Sequence, residues 1–266
     1  MYYRRILPVS SGVYRPLEVH RYVMTTMGGF WPVIQKLPNG NLGVVTRDGD
    51  FHIGERGRLV FVTSPDGGES WSHASVISAD GPDNRNPAFG VTADGTLLAA
   101  FIKADKYVDG TYVPSKNKDR ELYISRSDDS GATWSKGEPV DWRGHELKSE
   151  GGSPYFKMVT LPDGTVLLAY SSPAGGCLVR SRDRGATWTD PVMIGKGLGE
   201  TALCYLGDGH LLAVMRGKAL HQMESRDDGY TWSEPRQITD EWEFPGDVLK
   251  LQDGRLLLTY GRRVPP

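Results

Sequence analysis

The chain has 266 residues and a formal net charge of −2, and its 31 basic and 33 acidic residues are interspersed. This balance argues against a bulk electrostatic grip on nucleic acid or on a membrane surface. Two cysteines cannot make a disulfide framework or a tetrahedral zinc site, so Cys177 and Cys204 are expected to be small buried strand residues.

Residues 1–8 lack the apolar segment of a secretory signal, and no apolar run in the sequence is long enough to span a bilayer. As it stands the sequence predicts a cytoplasmic protein, and a secreted or periplasmic location stays open if the N-terminus is incomplete. The 33 glycines, 17 prolines and 10 % aromatic residues, without long helical periodicity, indicate many short strands.

Five two-residue turns of the Asn-Gly or Asp-Gly type occur along the chain, each followed by a short, continuous apolar run. Such turns are the strongest short hairpin signals, and the runs suit strands buried on both faces. The turns are Asn39-Gly40, Asp94-Gly95, Asp163-Gly164, Asp208-Gly209 and Asp253-Gly254.

A second repeat, Ser-x-Asp-x-Gly-x-x-Trp, alternates with the first. Its Asp caps backbone amides, its Gly takes a positive φ, and its Trp packs under the turn, so every position has a structural purpose. We therefore assign these repeats no catalytic role. The four copies occupy residues 64–71, 127–134, 181–188 and 225–232.

The two interleaved repeats give four antiparallel strands per unit, which is the unit of a β-propeller. The sequence predicts an all-β fold in which residues 1–266 form one domain. The polar stretch from Lys103 to Asp119 is expected to be an insertion within a blade. The predicted blades are residues 29–78, 82–142, 150–195 and 199–239, with a partial blade at 244–266 and N-terminal strands within 1–28.

The predicted blades do not fill a symmetric ring. One interpretation is a six-bladed ring of which about four and a half blades are present, and we favour it because the last residues read as a loop within a blade. The alternative is a five-bladed ring closed by strands in residues 2–9 and 17–24.

Polar residues at the rim of the innermost strands are candidates for a site at one mouth of the propeller. Glu200 precedes an innermost strand and Arg216 ends the next, so a hairpin makes them neighbours. Guanidinium groups pair bidentately with carboxylates, so a ring of arginines indicates an anionic ligand. Further candidates at this mouth are Arg47, Asp48, Asp50, Arg85, Glu150, Asp247, Arg262 and Arg263.

These repeats resemble those of the sialidase (neuraminidase) superfamily over nearly the whole chain. The segment Glu-x-x-Leu-x-x-Leu-x-Asp-Gly-x-Leu-Leu-x-x-x-Arg at 200–216 resembles the family segment that holds the catalytic glutamate and the second arginine of a carboxylate-binding triad. The resemblance implies Arg262 or Arg263 as the third arginine. It implies Asp50 as the acid/base aspartate, with Asp48 as the alternative.

Two features depart from the family pattern. Where the family has an Arg-Ile-Pro segment that supplies the first arginine, this chain reads Phe30-Trp31-Pro32. Arg15 and Arg85 are candidate substitutes. The family's nucleophilic tyrosine lies in a later blade, beyond Pro266.

The resemblance implies retaining hydrolysis of a terminal acidic sugar, most simply sialic acid, from a glycan, without a metal or organic cofactor. Two alternatives remain: an enzyme acting on another acidic polysaccharide, and a non-catalytic propeller that binds glycan or protein. No spacing groups the histidines as metal ligands, and His52, His145 and His221 are expected in loops or on the surface.

Overall fold

The computed structural model describes residues 6–8, 14–16, 29–104, 107–113, 121–140 and 152–263. These residues form antiparallel β-sheets arranged as the blades of a propeller, which confirms the predicted fold class. Among them no helix has the length and apolar character needed to cross a membrane. Glu150 and His145 lie outside the described residues.

Each blade begins with its innermost strand and proceeds outward along the chain. Blade one contains β3 (Phe30–Lys36), β4 (Leu42–Asp48), β5 (Arg58–Ser64) and β6 (Ser75–Ser78). Blade two contains β7 (Asn84–Val91), β8 (Leu97–Lys103), β11 (Leu122–Ser127) and β12 (Glu138–Pro139). Between β8 and β11 the chain forms a hairpin of β9 (Tyr107–Val108) and β10 (Thr111–Tyr112).

Blade three has an interrupted innermost edge. It contains β13 (Ser153–Pro154), β14 (Phe156–Lys157), β15 (Val159–Thr160), β16 (Val166–Ser172), β17 (Gly175–Ser181) and β18 (Thr189–Lys196). Strands β13 and β15 pair with β16, whereas β14 pairs in parallel with β7 of blade two. Blade four contains β19 (Gly199–Gly207), β20 (His210–Arg216), β21 (Leu220–Ser225) and β22 (Arg236–Gln237). Blade five contains β23 (Glu243–Lys250) and β24 (Leu256–Arg262).

The N-terminal strands β1 (Ile6–Pro8) and β2 (Tyr14–Pro16) pair with each other. In the described residues they form a separate two-stranded sheet and do not join blade five. The other segment proposed to close a five-bladed ring, residues 17–24, lies outside the described residues.

The hydrophobic core lies between neighbouring blades. One cluster of buried side chains fills each of the four interfaces between successive blades, from blade one through blade five. Between blades one and two, for example, Phe61, Phe89 and Phe101 are at most 2 % exposed. Cys177 and Cys204 are free and buried in strands β17 and β19, as expected.

Each Ser-x-Asp-x-Gly-x-x-Trp repeat forms a hydrogen-bonded turn between the third and fourth strands. In the first copy, Ser64 Oγ donates to Asp66 Oδ1 at 2.8 Å and accepts from the amide of Gly68 at 2.7 Å. Asp66 also accepts from the amide of Ser70 at 2.9 Å. The other three copies repeat the Ser-to-Asp and Gly-to-Ser bonds.

The turns also attach each blade to the one before it. The glycine of the second turn, Gly131, has a φ of 89°, and a Cβ there would lie 2.0 Å from the ring of Phe61 in blade one. The equivalent Gly185 and Gly229 approach Leu98 and Leu178 of the preceding blades. The repeat therefore needs glycine both for its backbone conformation and for this close approach.

The turn carboxylates predict how stability depends on pH. The Ser70 hydroxyl and amide lower the pKa of Asp66 to about 2. Because the folded pKa lies below the unfolded value of about 3.9, this stabilisation is present above about pH 4 and is lost as the pH falls through about 2. We expect Asp66→Asn to be less stable than wild type at pH 7, with the difference shrinking between pH 4 and pH 2. Urea unfolding at several pH values measures it.

The control for this prediction is Glu69→Gln, which changes an exposed carboxylate of the same turn. Its stability difference from wild type should not depend on pH in this way. A gap between Asp66→Asn and wild type that stays constant down to pH 2 would contradict the role of the turn carboxylate.

Candidate functional site

The same irregularity marks one end of the innermost strands. In blades one, two, four and five, the first register shift places one extra residue on the innermost strand. The extra residues follow Phe30, Arg85, Gly199 and Glu243, respectively. A β-bulge redirects the side chains beside it and is common next to functional sites.

Three of the bulges share a backbone conformation that side chains rarely adopt. Trp31, Asn86 and Glu200 each directly follow the paired residue before the bulge, and their φ values are 53°, 53° and 42°. These residues therefore occupy equivalent positions at one mouth of the propeller. Residues held at positive φ cluster at functional sites, because surrounding structure must stabilise them.

The residues that pair opposite these bulges include three arginines. Arg47 pairs with Phe30, Arg216 with Gly199 and Arg262 with Glu243. The structure therefore brings predicted residues from blades one, four and five to the same mouth. In blade two the arginine, Arg85, lies on the innermost strand itself.

Arg47 is completely buried and all its contacts are internal. Its Nε and Nη2 donate to Asp83 Oδ1 at 2.9 and 2.7 Å. Its other bonds go to carbonyl oxygens of Asp50, Phe51 and Gly54 in the loop between β4 and β5. These contacts fix the loop, and substrate binding by Arg47 stays a prediction.

Asp83 is shared by two arginines and a tyrosine. Its Oδ2 accepts from Arg85 Nη1 at 3.1 Å and from the hydroxyl of Tyr107 at 2.5 Å, while Oδ1 accepts from Arg47. The side chain of Asp83 is 0 % exposed and that of Arg85 only 8 %. Burying two guanidinium groups without this carboxylate would leave uncompensated charges away from water.

Arg85 lies between aromatic rings. Its guanidinium carbon is 4.8 Å from the centroid of Trp31 and 5.6 Å from that of Tyr112 in the inserted hairpin. Its Nη2 donates to the carbonyl of His52, and its buried Nε has no hydrogen-bond partner among the described residues. Cation–π contacts of this kind hold the guanidinium in one orientation.

Glu200 and Arg216 form an ion pair at the mouth. Arg216 Nη1 lies 2.6 Å from Glu200 Oε1, and the two side chains are 29 % and 23 % exposed. The backbone amide of Glu200 donates to Ser171 Oγ at 3.1 Å, so the neighbouring blade helps to orient it. The pair is therefore accessible to a ligand, unlike the pair of Arg47 and Asp83.

Arg263 joins this group through Phe244. The guanidinium carbons of Arg216 and Arg263 lie 4.2 and 5.3 Å from the centroid of the Phe244 ring. The amide of Arg263 donates to the carbonyl of Trp242 at 2.7 Å. Two arginines of different blades thus share one aromatic platform.

The predicted acids of the first blade have their partners within that blade. Asp50 accepts hydrogen bonds from the amides of Phe51 and Arg56, which lower its pKa. Asp48 pairs with Arg58 at 2.7 Å. Both carboxylates therefore interact with their own loop or strand pair.

Two further predicted residues lie elsewhere. Asp247 is farther along β23, where it pairs with Lys157 of blade three at 3.1 Å, because the bulge places Phe244 and Pro245 at the mouth instead. Arg15 lies on β2, which pairs with β1. Of the two candidate substitutes for the first arginine, the mouth contains Arg85.

His52 is a mouth residue that the sequence prediction treated as an ordinary loop residue. Its ring centroid lies 4.8 Å from that of Trp31. Burial and the charges of Arg85, Arg47 and Arg263 lower the pKa of His52, with an opposing effect from Asp83. Charged groups of blades one, two and five thus act on one imidazole.

Other residues of the site were also missed, and one sequence signal could have helped. Arg47 and Arg216 both lie seven residues after a turn glycine, Gly40 and Gly209 (47 − 40 = 216 − 209 = 7). That common offset predicts equivalent positions. No local pattern marks the buried carboxylate of Asp83. The same is true of Tyr107, which donates to Asp83, and of Tyr112, which contacts Arg85.

The mouth has an excess of positive charge. Arg47, Arg85, Arg216, Arg262 and Arg263 carry five positive charges, and Asp83, Glu200 and Glu243 carry three negative ones, which leaves two (5 − 3 = 2). Such a surface attracts an anionic ligand. In the described part of the chain, no group of three or more His, Cys, Asp or Glu side chains could hold a metal ion.

Comparison with known proteins identified related sequences and folds. A family model described as a BNR repeat-like domain matches residues 81–265. No curated protein matches the sequence. Among solved structures, a Dyadobacter fermentans protein of unknown function has a TM-score of 0.71 at 21 % identity, covering 89 % of this chain and 76 % of that one.

Two sialidases share the fold. A Hadza microbial sialidase has a TM-score of 0.70 at 22 % identity, covering 88 % of this chain and 53 % of its own. A Trypanosoma rangeli sialidase in complex with sialic acid has a TM-score of 0.63 at 13 % identity, with coverages of 97 % and 46 %. The chain spans about half the length of these two proteins, and identities this low show a common fold alone.

The shared carboxylate predicts a large stability effect. Asp83→Asn leaves Arg47 and Arg85 buried without a charged partner, so we expect a loss of about 3–5 kcal/mol in the free energy of unfolding. The control Asp190→Asn breaks an exposed ion pair with Arg182 and should cost less than about 1 kcal/mol. Urea unfolding at pH 7 compares them, and equal losses would contradict the importance of Asp83.

Proposed function

Because the chain belongs to the BNR repeat-like domain family, we propose that its arginine-lined mouth binds a terminal acidic sugar of a glycan. We further propose that it releases this sugar as a sialidase-like exo-glycoside hydrolase. The single observation that carries the proposal is the set of Glu200, Arg216, Arg263 and Arg85 at one mouth with an excess of positive charge.

The carboxylate of the sugar is held by arginines from different blades. Arg216 at the end of β20 and Arg263 directly after β24 both contact the Phe244 ring, and both are accessible to a ligand. Arg85 supplies the third positive charge in place of the arginine that Trp31 replaces. Arg262, at the end of β24, is the alternative to Arg263.

Glu200 acts on the reacting centre. In the retaining mechanism that the resemblance implies, Glu200 removes the proton from a tyrosine nucleophile, which then attacks the anomeric carbon. Its orientation is supported by the amide bond to Ser171 and by the ion pair with Arg216. Asp50 is the proton donor that the resemblance implies, and it would have to leave the amides of Phe51 and Arg56 to act.

One observation favours a second candidate. Trp31 stands where the resemblance expects an arginine, and its ring packs on Arg85 instead of offering a positive charge. An acidic glycan other than a sialoside, such as a polysaccharide that contains uronic acid, would accommodate this difference. A panel of α-sialosides and uronic-acid oligosaccharides distinguishes the two substrates.

The proposal predicts the effect of removing one arginine. Arg216→Ala should lower kcat/KM for a fluorogenic α-sialoside roughly 100-fold or more, since loss of a hydrogen-bonded charge partner costs several kcal/mol. The control Arg236→Ala removes an exposed arginine of the outer strand β22 and should leave kcat/KM unchanged. All of these proteins are expressed to the natural stop codon, because the nucleophilic tyrosine that the resemblance implies lies beyond Pro266. Equal activity of the two variants, or no hydrolysis of any acidic glycoside by the wild-type protein, would contradict the proposal.

A further inference from the structure

The loop between β4 and β5 is fastened by its backbone to buried arginines. Arg47 donates to three carbonyl oxygens of this loop, and Arg85 Nη2 donates to the carbonyl of His52 at 3.3 Å. Both arginines are fixed on Asp83. The direction in which the loop presents the His52 side chain is therefore determined by the charged cluster beneath it.

The imidazole of His52 is accessible and unbonded. Its ring packs against Trp31 at 4.8 Å and meets Phe30 edge-on at 5.6 Å. It makes no side-chain hydrogen bond to any residue that the structure describes, and the residue is exposed. Its ring nitrogens are thus available to a ligand held at the mouth.

Charged groups from three blades act electrostatically on this imidazole. Arg47 comes from blade one, Arg85 and Asp83 from the start of blade two, and Arg263 from the end of blade five. Burial and the three arginines lower the pKa of His52, so the free protein holds a neutral ring at neutral pH. An anion bound by those arginines would offset their charge and raise the pKa of His52.

We infer that His52, rather than Asp50, transfers the proton to and from the glycosidic oxygen of an acidic glycoside bound at this mouth. This inference rests on the proposed function. It also follows from the contrast between the two side chains, because Asp50 uses its carboxylate to hold two amides of its own loop, whereas the His52 ring packs on Trp31, whose ring also contacts Arg85.

The proton balance closes over one turnover. Binding of the sugar carboxylate favours the imidazolium form, which takes its proton from solvent. The imidazolium N–H gives that proton to the glycosidic oxygen as the C–O bond breaks, and the bonding electron pair stays with the leaving alcohol. The tyrosine oxygen, whose proton passes to Glu200, forms the new bond to the anomeric carbon. Water then attacks the anomeric carbon as its bond to the tyrosine oxygen breaks; neutral His52 accepts the proton of that water, and Glu200 returns its proton to the tyrosine. The released sugar carries the hydroxyl group, and the imidazolium loses its proton to solvent when the sugar leaves.

A proton titration by NMR tests the electrostatic part of this inference. The chain, labelled with ¹⁵N in its histidines, is titrated alone and with N-acetylneuraminic acid, and His52→Asn identifies the resonance. We expect the pKa of His52 to rise by about 1 on binding, as for one opposite charge placed nearby. His73, an exposed residue after the first turn, is the control. Binding without a change at His52 would overturn the inference.

The dependence on the leaving group tests the chemical part. His52→Asn should lower kcat/KM roughly 100-fold or more for an alkyl α-sialoside, whose leaving oxygen needs a proton. For an aryl α-sialoside with a good leaving group, the loss should be under about 10-fold. His73→Asn should leave both rates unchanged, and thermal unfolding checks that the variants fold.

The outcomes separate the inference from the function on which it rests. Unequal losses, larger for the alkyl substrate, support proton transfer by His52. Equal losses on both substrates would overturn this inference alone. A wild-type protein, expressed to its natural stop codon, that hydrolyses no acidic glycoside would remove the proposed function and this inference with it.

Discussion

The carboxylate of Asp83 is the contact on which the geometry of the mouth depends. It sits 0 % exposed between Arg47 and Arg85 and also accepts the hydroxyl of Tyr107. A buried charge is tolerated only when it is paired and hydrogen-bonded, so this one carboxylate allows two cations to lie beneath the loop of blade one. Through their contacts to that loop, it also determines where His52 lies.

The propeller repeat places equivalent residues at one mouth, and the side chains at those positions differ from blade to blade. The same bulge recurs in four blades, and it carries Trp31, Asn86 and Glu200 at equivalent places with positive φ. An aromatic ring, an amide and a carboxylate thus meet at one mouth. Successive blades of similar build offer this arrangement without any change in the core, because the bulges lie at the strand ends.

The fold could be predicted because its signals are local, whereas much of the site depends on contacts between blades. Turn glycines and the Ser-x-Asp-x-Gly-x-x-Trp repeats act within a few residues of one another. Arg47 and Arg216 have the same offset from their turns, yet one is buried and the other accessible. The difference arises because Asp83 reaches Arg47 from the next blade, and no local pattern in the sequence encodes that contact. Glu200 and Arg216 were predicted as neighbours because a single hairpin joins them.

The most direct test of this account is a crystal structure of the chain with N-acetylneuraminic acid, compared with crystals soaked in a neutral sugar such as galactose. The sugar carboxylate should lie among Arg85, Arg216 and Arg263, with the anomeric hydroxyl toward His52, and the neutral sugar should not occupy the mouth. A carboxylate bound away from these arginines, or equal occupancy by the neutral sugar, would contradict the claim that this mouth recognises an acidic sugar.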